Sequence, residues 1–329
     1  MKLNRREFIV LGGATTLLAT TGISMADDWP SKSVTVISAY PPGGSADAVT
    51  RFVAEALTNV FGQQFVTQNV AGAAGSLAAG QVARSAPDGY TFFVTGSAPL
   101  GVNKIVQKNL AYDPLVDLTP ISILGETALI LSASPTAPAK TLKEFIDYAR
   151  ANSGMVNVGN PGAGTKGHIV AATIGHLTGV ELNHIPYKGT GPLLPDLLGG
   201  HIDFALDTTT SYIPHILDGK LNGVAISSAA RSEKLPDVLT VAESGVAELK
   251  DYHDAGWFAA AGPKGMDPAV VTKLSTAINE WLVTPEARAK LDSIGMTPVA
   301  GTPEQLFKAM QVEIANIIPL VEAGLVNPT

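Results

Sequence analysis

The sequence predicts an α/β protein made of two lobes with a cleft between them. Segments with apolar residues at every second position alternate along the chain with segments whose apolar residues recur every three or four positions. That alternation favours a parallel or mixed sheet with helices on both of its faces. The series runs once before about Glu126 and again after it, and we expect the final helices to return to the first lobe.

Strands and helices follow one another in the first part of the chain. The segment "SVTVIS" predicts a strand, and a helix is expected from Ala46 to Val60 because its apolar residues share one face. Within this helix Arg51 is expected to pair with Glu55, four residues on. Strands "QQFVTQN" and "YTFFVTG" flank a helix of small residues, "GSLAAGQVARS", and the longer apolar segment "DLTPISILGETALILSAS" comes next.

The same alternation returns in the second part. Thr141 and Glu144 form a capping box for a helix that reaches about Asn152. The elements that follow are strand "MVNVGN", a helix from Lys166 to Leu177, strand "VELNHIPY", helix "PLLPDLLGG", strand "HIDFALD", helix "SYIPHILDG" and strand "LNGVAISS". A last block is predicted to contain strand "GWFAAAG" and the helices Asp267–Leu282, Pro285–Ile294 and Thr302–Ala323.

Residues 1–26 have the pattern of an export signal. A basic start that includes Arg5 and Arg6 precedes an apolar segment, Phe8 to about Ala19, and Ser24-Met25-Ala26 is a cleavage pattern. The arginine pair favours the twin-arginine route, and a Sec signal that happens to contain two arginines is the alternative. The apolar segment is too short for a membrane anchor.

The composition excludes several classes of partner. The net charge is −7, and removal of residues 1–26, which hold three basic and one acidic side chain, leaves 303 residues with a charge of −9. This acidity, without a basic run, argues against nucleic acid or an anionic membrane as partner. The absence of cysteine excludes disulfides and a thiolate nucleophile. No metal is expected, because His168 and His176 lie eight residues apart, a poor spacing for chelation.

Common cofactor and nucleophile motifs are also missing from the sequence. Gly72-x-x-Gly75 lacks the spacing of a dinucleotide-binding loop, and there is no P-loop. There is no G-x-S-x-G nucleophile elbow either. We therefore expect a non-catalytic protein without a cofactor. The enzyme alternative is an exported hydrolase or isomerase in which Ser97, His168 and Asp207 meet when the lobes close.

Six junctions between a strand and the next helix or turn are rich in glycine, serine and threonine. In an open α/β sheet, ligands bind beyond the carboxyl ends of the strands, where the helices begin. Glycine allows a close backbone approach, and the free N–H groups of the first helical turn attract an anion such as a carboxylate. A tight turn explains any single junction, but six together favour binding. They are Pro41–Asp47, Asn69–Ser76, Thr95–Ala98, Asn160–Thr165, Tyr187–Gly191 and Asp207–Thr210.

Four side chains at these junctions have two possible roles each. Asp47 either caps its own helix through the early N–H groups or contacts the ligand directly. Asp207 follows an apolar strand, where a carboxylate needs a protein partner or a hydroxyl or cationic group of the ligand. Tyr40 and Tyr187 flank glycine loops, where they either form the wall of a pocket or belong to the core.

Five segments together resemble the Bug family, the periplasmic solute receptors of tripartite tricarboxylate transporters. They are "YPPGGSADAVTR", "VAGAAGSLAAGQVARSAPDGYT", "YKGTGPLLPDLLGGHIDF", "IPHILDGKL" and "RSEKLPDVLTVAESG". The resemblance extends from about Trp29 to the C-terminus. It implies a two-lobed periplasmic-binding fold, similar to type II, with one small ligand in the cleft between the lobes. Residues 27–126 and about 252–329 would form the first lobe, and residues from about 127 to 251 the second.

The resemblance also implies a ligand site. In this family two loops of the first lobe hold one carboxylate deep in the cleft, partly through water, and loops of the second lobe meet the rest of the ligand. The matching first-lobe positions are Gly44, Ser45, Ala46, Asp47, Ala73, Ala74, Gly75 and Ser76. The second-lobe positions are Gly164, Thr165, Tyr187, Gly189, Thr190 and Asp207. Tyr40 and Ser97 complete the candidate site, although the family often has Phe at the position of Tyr40.

The implied function is that of a non-catalytic, monomeric receptor in the periplasm. It would bind a small aliphatic or aromatic mono- or dicarboxylate and deliver it to a membrane permease, without a cofactor, a metal or nucleic acid. A second class of function stays open at the level of the sequence, because an exported sensor that presents the closed receptor to a two-component kinase would have the same features.

Overall fold

The computed structural model describes residues 29–322, 324 and 326. The export signal predicted at residues 1–26 lies outside the described residues, and so does the predicted end of the last helix at Ala323. No helix in the described ranges is long and apolar enough to cross a membrane. Strands and helices alternate along the chain in the predicted order.

The described residues form ten strands that join in one mixed sheet. The first five strands are β1 (Val34–Ser38), β2 (Phe65–Asn69), β3 (Thr91–Gly96), β4 (Leu118–Ala133) and β5 (Asn157–Asn160). The remaining five are β6 (Asn183–Pro186), β7 (Phe204–Thr208), β8 (Asn222–Ile226), β9 (Ala255–Pro263) and β10 (Met296–Pro298). The short strand β10, which pairs with β4, was not predicted from the sequence.

Ten α-helices connect or cover these strands in the described part of the chain. The first five are α1 (Ser45–Phe61), α2 (Ser76–Ala83), α3 (Asn103–Val106), α4 (Leu142–Ala151) and α5 (Lys166–Thr178). The others are α6 (Thr190–Leu198), α7 (Ile213–Leu217), α8 (Pro268–Leu282), α9 (Pro285–Ser293) and α10 (Pro303–Glu322). A single π-helical turn, Ala98–Val102, leads into α3.

Each lobe contains parallel strands whose carboxyl ends lie at one edge. In the first lobe β1 lies between β2 and β3 and is parallel to both. In the second lobe β5 lies between β6 and β7 and is parallel to both. Because parallel neighbours end at the same edge, the loops that follow them come together. The glycine-rich junctions of both lobes follow these strands.

The long strand β4 is shared by the two lobes. Its first part, Leu118–Ala128, pairs with β9, whereas its last part, Leu129–Ala133, pairs with β7. The chain returns to the first lobe at the start of β9, just after Asp254. The sheet therefore passes from one lobe to the other within β4. The predicted division at about residues 126 and 252 falls beside these two crossings and stays a prediction about the limits of the lobes.

Buried apolar side chains cover both faces of the sheet in each lobe, as expected for parallel strands between helices. In the first lobe one cluster joins α1, β3 and α8, and another joins β1, α2 and α10; they include Val53, Phe92, Leu274, Ile37, Ala79 and Met310. In the second lobe Phe145 of α4 meets Phe204 of β7 edge to face, with ring centroids 4.8 Å apart. Each lobe thus has a core of its own.

A further apolar cluster lies between the lobes. It brings Ile169 and Ala172 of α5 against Val102, Val106 and Ile317, which belong to the π-helical turn, α3 and α10. We call this set the interlobe cluster. Separation of the lobes would expose these side chains to water, so their burial stabilises the closed arrangement.

The predicted helices are confirmed within one or two residues at the ends that the structure describes, α3 was not predicted, and the capping box of α4 is confirmed in detail. The backbone N–H of Glu144 donates to Oγ1 of Thr141 over 3.2 Å, and the Glu144 carboxylate accepts from the Thr141 N–H over 3.1 Å. The reciprocal bonds satisfy backbone donors that a helix start otherwise leaves free.

The predicted ion pair between Arg51 and Glu55 is wrong. Arg51 Nε lies 3.0 Å from Oδ2 of Asp47, four residues earlier on the same helix. Glu55 instead accepts from Nζ of Lys290, 2.9 Å away on α9. Asp47 and Glu55 both lie one helical turn from Arg51. Because Lys290 pairs with Glu55, Arg51 pairs with Asp47.

The packing of α5 against the sheet generates a prediction about stability. A Cβ atom at Gly167 would overlap the backbone oxygen of Leu206 in β7. We expect Gly167→Ala to lower the free energy of unfolding by about 2 kcal/mol or more, because a rigid backbone atom has to move. Urea denaturation measures this change.

The matched control is Gly80→Ala, inside α2, where the added methyl would lie 3.4 Å from the flexible side chain of Arg84 and 4.0 Å from the ring of Tyr112, an ordinary contact. Alanine favours a helix over glycine by about 1 kcal/mol, so this variant should be neutral or more stable. Equal stability of the two variants would contradict the packing described for α5.

Candidate functional site

A cavity lies between the two lobes, where the loops after the parallel strands meet. It offers about 60 Å³ for the centres of water-sized molecules, and one water needs roughly 10–15 Å³ in that measure. The cavity therefore has room for a few waters or for a small organic molecule that replaces them. Both lobes contribute to its wall, the first through Ser45 and Trp257 and the second through Thr165 and Thr190.

Three helices begin at this cavity. Ser45 and Ala46 of α1, Lys166 and Gly167 of α5, and Thr190 of α6 all line it. The residue before each helix makes no side-chain cap to the first turn. Since the first N–H groups of a helix have no partner within the helix, these backbone donors are available to a ligand. The positive ends of the three helix dipoles add to the attraction of an anion.

The loop before α1 is held by Asp47. Its carboxylate accepts from the backbone N–H of Gly43 over 3.1 Å, from Arg51, and from Nδ2 of Asn69 over 2.8 Å. Burial opposes ionisation, but these bonds outweigh it and hold the pKa of the Asp47 carboxyl below its usual value. Asp47 does not line the cavity, and the hydrogen bonds of its carboxylate go to Gly43, Arg51 and Asn69, so neither a cap on its own helix nor direct contact with the cavity is observed.

The two lobes meet through their glycine loops. Ser45 Oγ of α1 lies 2.6 Å from Oγ1 of Thr208 in the second lobe. A Cβ atom at Gly44 would lie 3.4 Å from Cβ of Thr190, and one at Gly189 would lie 2.8 Å from Cδ of Pro41. The glycines thus let the two backbones approach closely. The lobes are closed in this structure.

Asp207 is the buried acid of the second lobe. It is 3 % exposed, its Oδ2 accepts from Oγ1 of Thr190 over 2.6 Å, and its Oδ1 accepts from the N–H of Thr208 over 2.7 Å. Burial raises the pKa of Asp207 to about 7, because the two hydrogen bonds offset only part of the cost of removing its charge from water. The cavity wall therefore holds a carboxyl group that changes protonation near neutral pH.

Lys166 brings a positive charge to the cavity wall. Its Nζ lies 2.9 Å from Oδ1 of Asp254 and 3.3 Å from Oε1 of Glu313 on α10. Burial lowers the pKa of the lysine, but the two carboxylates outweigh that effect and raise it above the usual value. Lys166 thus stays charged and joins α5 to α10 across the lobes. Glu313 also accepts a hydrogen bond from Ser97 Oγ over 3.3 Å.

A second cavity, of about 330 Å³ in the same measure, lies beside the first and shares Tyr40 and Pro161 with it. Its wall includes the loop before α2, in which Ala73 and Ala74 both have φ of 49°, a left-handed conformation that is unfavourable for alanine. Side chains hold this loop in place: Tyr40 and Asn103 donate to the Ala74 oxygen, and Gln107 donates to the Ala73 oxygen.

The structure brings half of the predicted site residues to the first cavity. These eight are Tyr40, Gly44, Ser45, Ala46, Ser97, Thr165, Thr190 and Asp207. Ala73, Ala74, Gly75 and Tyr187 line the second cavity instead. The four others, Asp47, Ser76, Gly164 and Gly189, line neither cavity. Contact between any of the sixteen and a ligand stays a prediction.

The residues that line neither cavity support the loops. Ser76 Oγ donates to Gln107 over 2.8 Å, and the Gly164 N–H donates to Nδ1 of His168 over 3.0 Å. His168 packs against His184 with ring centroids 4.9 Å apart, and burial and this neighbour lower the pKa of His168 to about 4. The described residues contain no group of three or more side chains suited to a metal ion.

The enzyme alternative does not have its constellation in the described structure. The hydroxyl of Ser97 is bonded to Glu313, the ring of His168 accepts from a backbone N–H, and Asp207 is bonded to Thr190. A nucleophile needs a base within hydrogen-bond reach, and these three groups are engaged with other partners.

Several wall residues were missed by the sequence analysis. Trp257 and Phe258 of β9 add an apolar surface, and Lys166 and Gly167 add polar groups, whereas Thr208, which also lines the cavity, belongs to the predicted junction Asp207–Thr210. Lys166 and Gly167 directly follow a junction that was singled out, so extending that junction by one helical turn would have found them. Trp257 lies far along the chain from the glycine loops, and nothing in its local sequence connects it with them.

Residues 49–325 match the pattern of a family described as the tripartite tricarboxylate transporter family receptor. The chain belongs to this receptor family. A relative, protein BugT of Bordetella pertussis, is 36 % identical over 292 residues, which cover 88 % of this chain and 89 % of BugT. A protein of Cupriavidus necator from the gbd 5′ region is 32 % identical and covers 90 % of both chains.

Solved structures of related receptors have the same two-lobed fold. A protein of R. palustris solved with adipate is 31 % identical, with a TM-score of 0.88 over 92 % of this chain and all of that one. MatC from Rhodopseudomonas palustris, solved with bound malate, is 29 % identical, with a TM-score of 0.81 over 89 % of this chain and 99 % of MatC. The periplasmic binding protein BugD reaches a TM-score of 0.85 at 29 % identity over 91 % of this chain and 99 % of BugD. The predicted family and fold are confirmed.

The raised pKa of Asp207 generates a prediction about stability in this receptor. Between the ordinary carboxyl pKa and about 7, the folded state keeps a proton that the unfolded state has released, so stability falls as pH rises in this window. We expect the wild type to lose about 2 kcal/mol relative to Asp207→Asn between about pH 5 and about pH 7.

Urea denaturation of both proteins at a series of pH values measures the difference, and subtraction removes the contribution of all other groups. A difference that stays constant, or that moves in favour of the wild type as pH rises, would contradict the assigned protonation of Asp207.

Proposed function

We propose that this receptor binds a small organic carboxylate between its lobes and delivers it to the membrane permease of a tripartite transporter. The observation that carries the proposal is the convergence of three helix N-termini, those of α1, α5 and α6, on one cavity. A carboxylate in this position accepts hydrogen bonds from backbone N–H groups and lies at the positive ends of three dipoles. It needs no arginine.

The related structures support the same class of ligand. Adipate and malate, the acids in two of them, are both small dicarboxylates. We extend the class of compound to this receptor, which acts in the periplasm as a monomer without a cofactor. Residues 1–26 would direct its export by the twin-arginine or the Sec route.

Closure of the lobes explains how a small cavity gives useful affinity. When the glycine loops meet, water leaves the cavity, and hydrogen bonds to the ligand become stronger in the less polar surroundings. The interlobe cluster and the bond between Ser45 and Thr208 form only when the lobes approach. We expect micromolar or tighter binding, which corresponds to about −8 kcal/mol.

The candidate residues divide into two groups under this proposal. Gly44, Ser45 and Ala46 of the first lobe would hold the carboxylate together with the free N–H groups at the starts of α5 and α6, and the side chains of Thr165, Thr190 and Asp207 would meet the rest of the ligand. The second cavity, with Ala73, Ala74, Gly75 and Tyr187, would admit a longer acid if the ring of Tyr40 moved aside.

The proposed function generates two predictions, and the first is that the purified receptor binds organic acids. Calorimetry or thermal-shift screening over aliphatic and aromatic mono- and dicarboxylates should find a ligand with micromolar or lower Kd, corresponding to about −8 kcal/mol. Sugars and organic cations serve as controls. Binding that is confined to sugars or cations would end the proposal.

A second prediction concerns the start of α1. In Ser45→Asp a carboxylate would occupy the position proposed for the ligand, whereas Ser45→Asn has nearly the same shape without the charge. An acidic residue in the first helical turn stabilises the helix, so the charge should not harm folding. We expect the aspartate variant to bind the acid at least about tenfold more weakly than the asparagine variant, which corresponds to about 1.4 kcal/mol.

Calorimetry of the two variants side by side measures the effect of charge alone, and thermal unfolding checks the fold. Equal affinities would mean that the carboxylate does not lie at the start of α1.

A further inference from the structure

One corner of the cavity, formed by Ser97 and Lys166, has a hydrogen-bonding pattern that a carboxylate does not match. We propose that this corner binds a hydroxyl group of the ligand, so that the receptor selects hydroxycarboxylates over the same acids without the hydroxyl. The inference rests on the function proposed above, because it names the class of carboxylate that the same cavity takes.

Ser97 presents an acceptor to the cavity. It is 3 % exposed, it lines the cavity, and its Oγ donates to Oε1 of Glu313 over 3.3 Å. A serine hydroxyl has one proton and two lone pairs. Because the proton is directed to Glu313, the lone pairs remain for the ligand. A carboxylate or a keto oxygen, which only accepts, finds no donor in Ser97.

Lys166 presents a donor beside that acceptor. Two of its three protons are directed to Asp254 and Glu313, at 2.9 and 3.3 Å, and an ammonium has three in all. The third remains for an oxygen atom in the cavity. Ser97 Oγ and Lys166 Nζ both lie 3.3 Å from the same oxygen of Glu313, so the acceptor and the donor are neighbours.

A neutral hydroxyl matches this pair, since it donates to Ser97 and accepts from Lys166. A methylene group at the same place would leave the lone pairs of Ser97 and the third proton of Lys166 without a partner, which costs affinity in a buried site. A ligand ammonium would donate to Ser97 but would lie beside the like charge of Lys166. Glu313 therefore acts through Ser97: it fixes the direction of the hydroxyl proton and so the type of group that the cavity accepts.

The test compares acids that differ by one hydroxyl group. Calorimetry of the purified receptor with lactate and propionate, with 3-hydroxybutyrate and butyrate, and with malate and succinate covers three matched pairs. We expect the hydroxy acid of at least one pair to bind about tenfold or more tightly than its partner. Ratios within about threefold in every pair that binds would overturn the inference and leave the proposed function standing. Binding of none of the six acids would overturn the inference, and the wider screen of carboxylates described above then decides the proposed function.

Ser97→Ala removes the acceptor, and we expect it to bring the ratio of affinities close to one. The matched control is Ser45→Ala, which removes a hydroxyl from the same cavity that is bonded to Thr208 instead. It should weaken both acids of a pair alike and keep the ratio. A ratio that survives in Ser97→Ala would overturn the inference.

Glu313→Gln provides a second test that does not depend on the folding of the first variant. Glutamine keeps an amide oxygen for Lys166, but a neutral amide oxygen accepts more weakly than a carboxylate oxygen, so the serine proton is released from residue 313 and becomes available to the ligand. We expect the preference for lactate over pyruvate, the keto analogue, to fall about tenfold relative to the wild type. An unchanged preference would contradict the role assigned to Glu313, and thermal unfolding verifies that the variant is folded.

Discussion

The free backbone N–H groups at the starts of α1, α5 and α6 are the constraint on which the arrangement of the site depends. A helix cannot satisfy its first donors internally, and none of these three helices receives a side-chain cap from the preceding residue. Because the parallel strands of each lobe end at one edge, the helices that follow them begin there. When the lobes close, the backbone N–H donors of both lobes lie around the same cavity.

Close approach of the two backbones requires residues without side chains. Gly189 and Gly191 lie where the lobes meet, and a Cβ atom at either would lie too close to Pro41 or Pro42, at 2.8 and 3.1 Å, whereas one at Gly44 would make an ordinary contact with Thr190. The loop before α1 is in turn fixed by Asp47, which binds Gly43, Arg51 and Asn69. Glycine thus permits the contact, and a buried carboxylate behind the loop gives it a defined shape.

The charges around the cavity are arranged in layers. Lys166 lies on the wall, and Asp254 and Glu313 behind it balance its charge. On the second lobe, burial raises the pKa of Asp207 to about 7, so this carboxyl group is partly protonated at neutral pH. Because the wall of the cavity contains no arginine, the anion that we propose as ligand would be attracted by the backbone donors and by the charge of Lys166. Under the same proposal, the side chains determine which further groups of the ligand are accepted, because the hydroxyl protons of Ser97 and Thr190 are directed to the acids they bond.

The sequence by itself determined most of the elements, the family and several of the loops that line the two cavities. Periodicity marks α1 and α10 because helical and strand patterns are local, and the capping box of Thr141 and Glu144 needs only four residues. The tertiary structure alone decided which loops share a cavity, why Arg51 pairs with Asp47, and that Trp257 and Glu313 belong near the site. Those outcomes depend on contacts between residues far apart in the chain, and local patterns carry no information about distance in space.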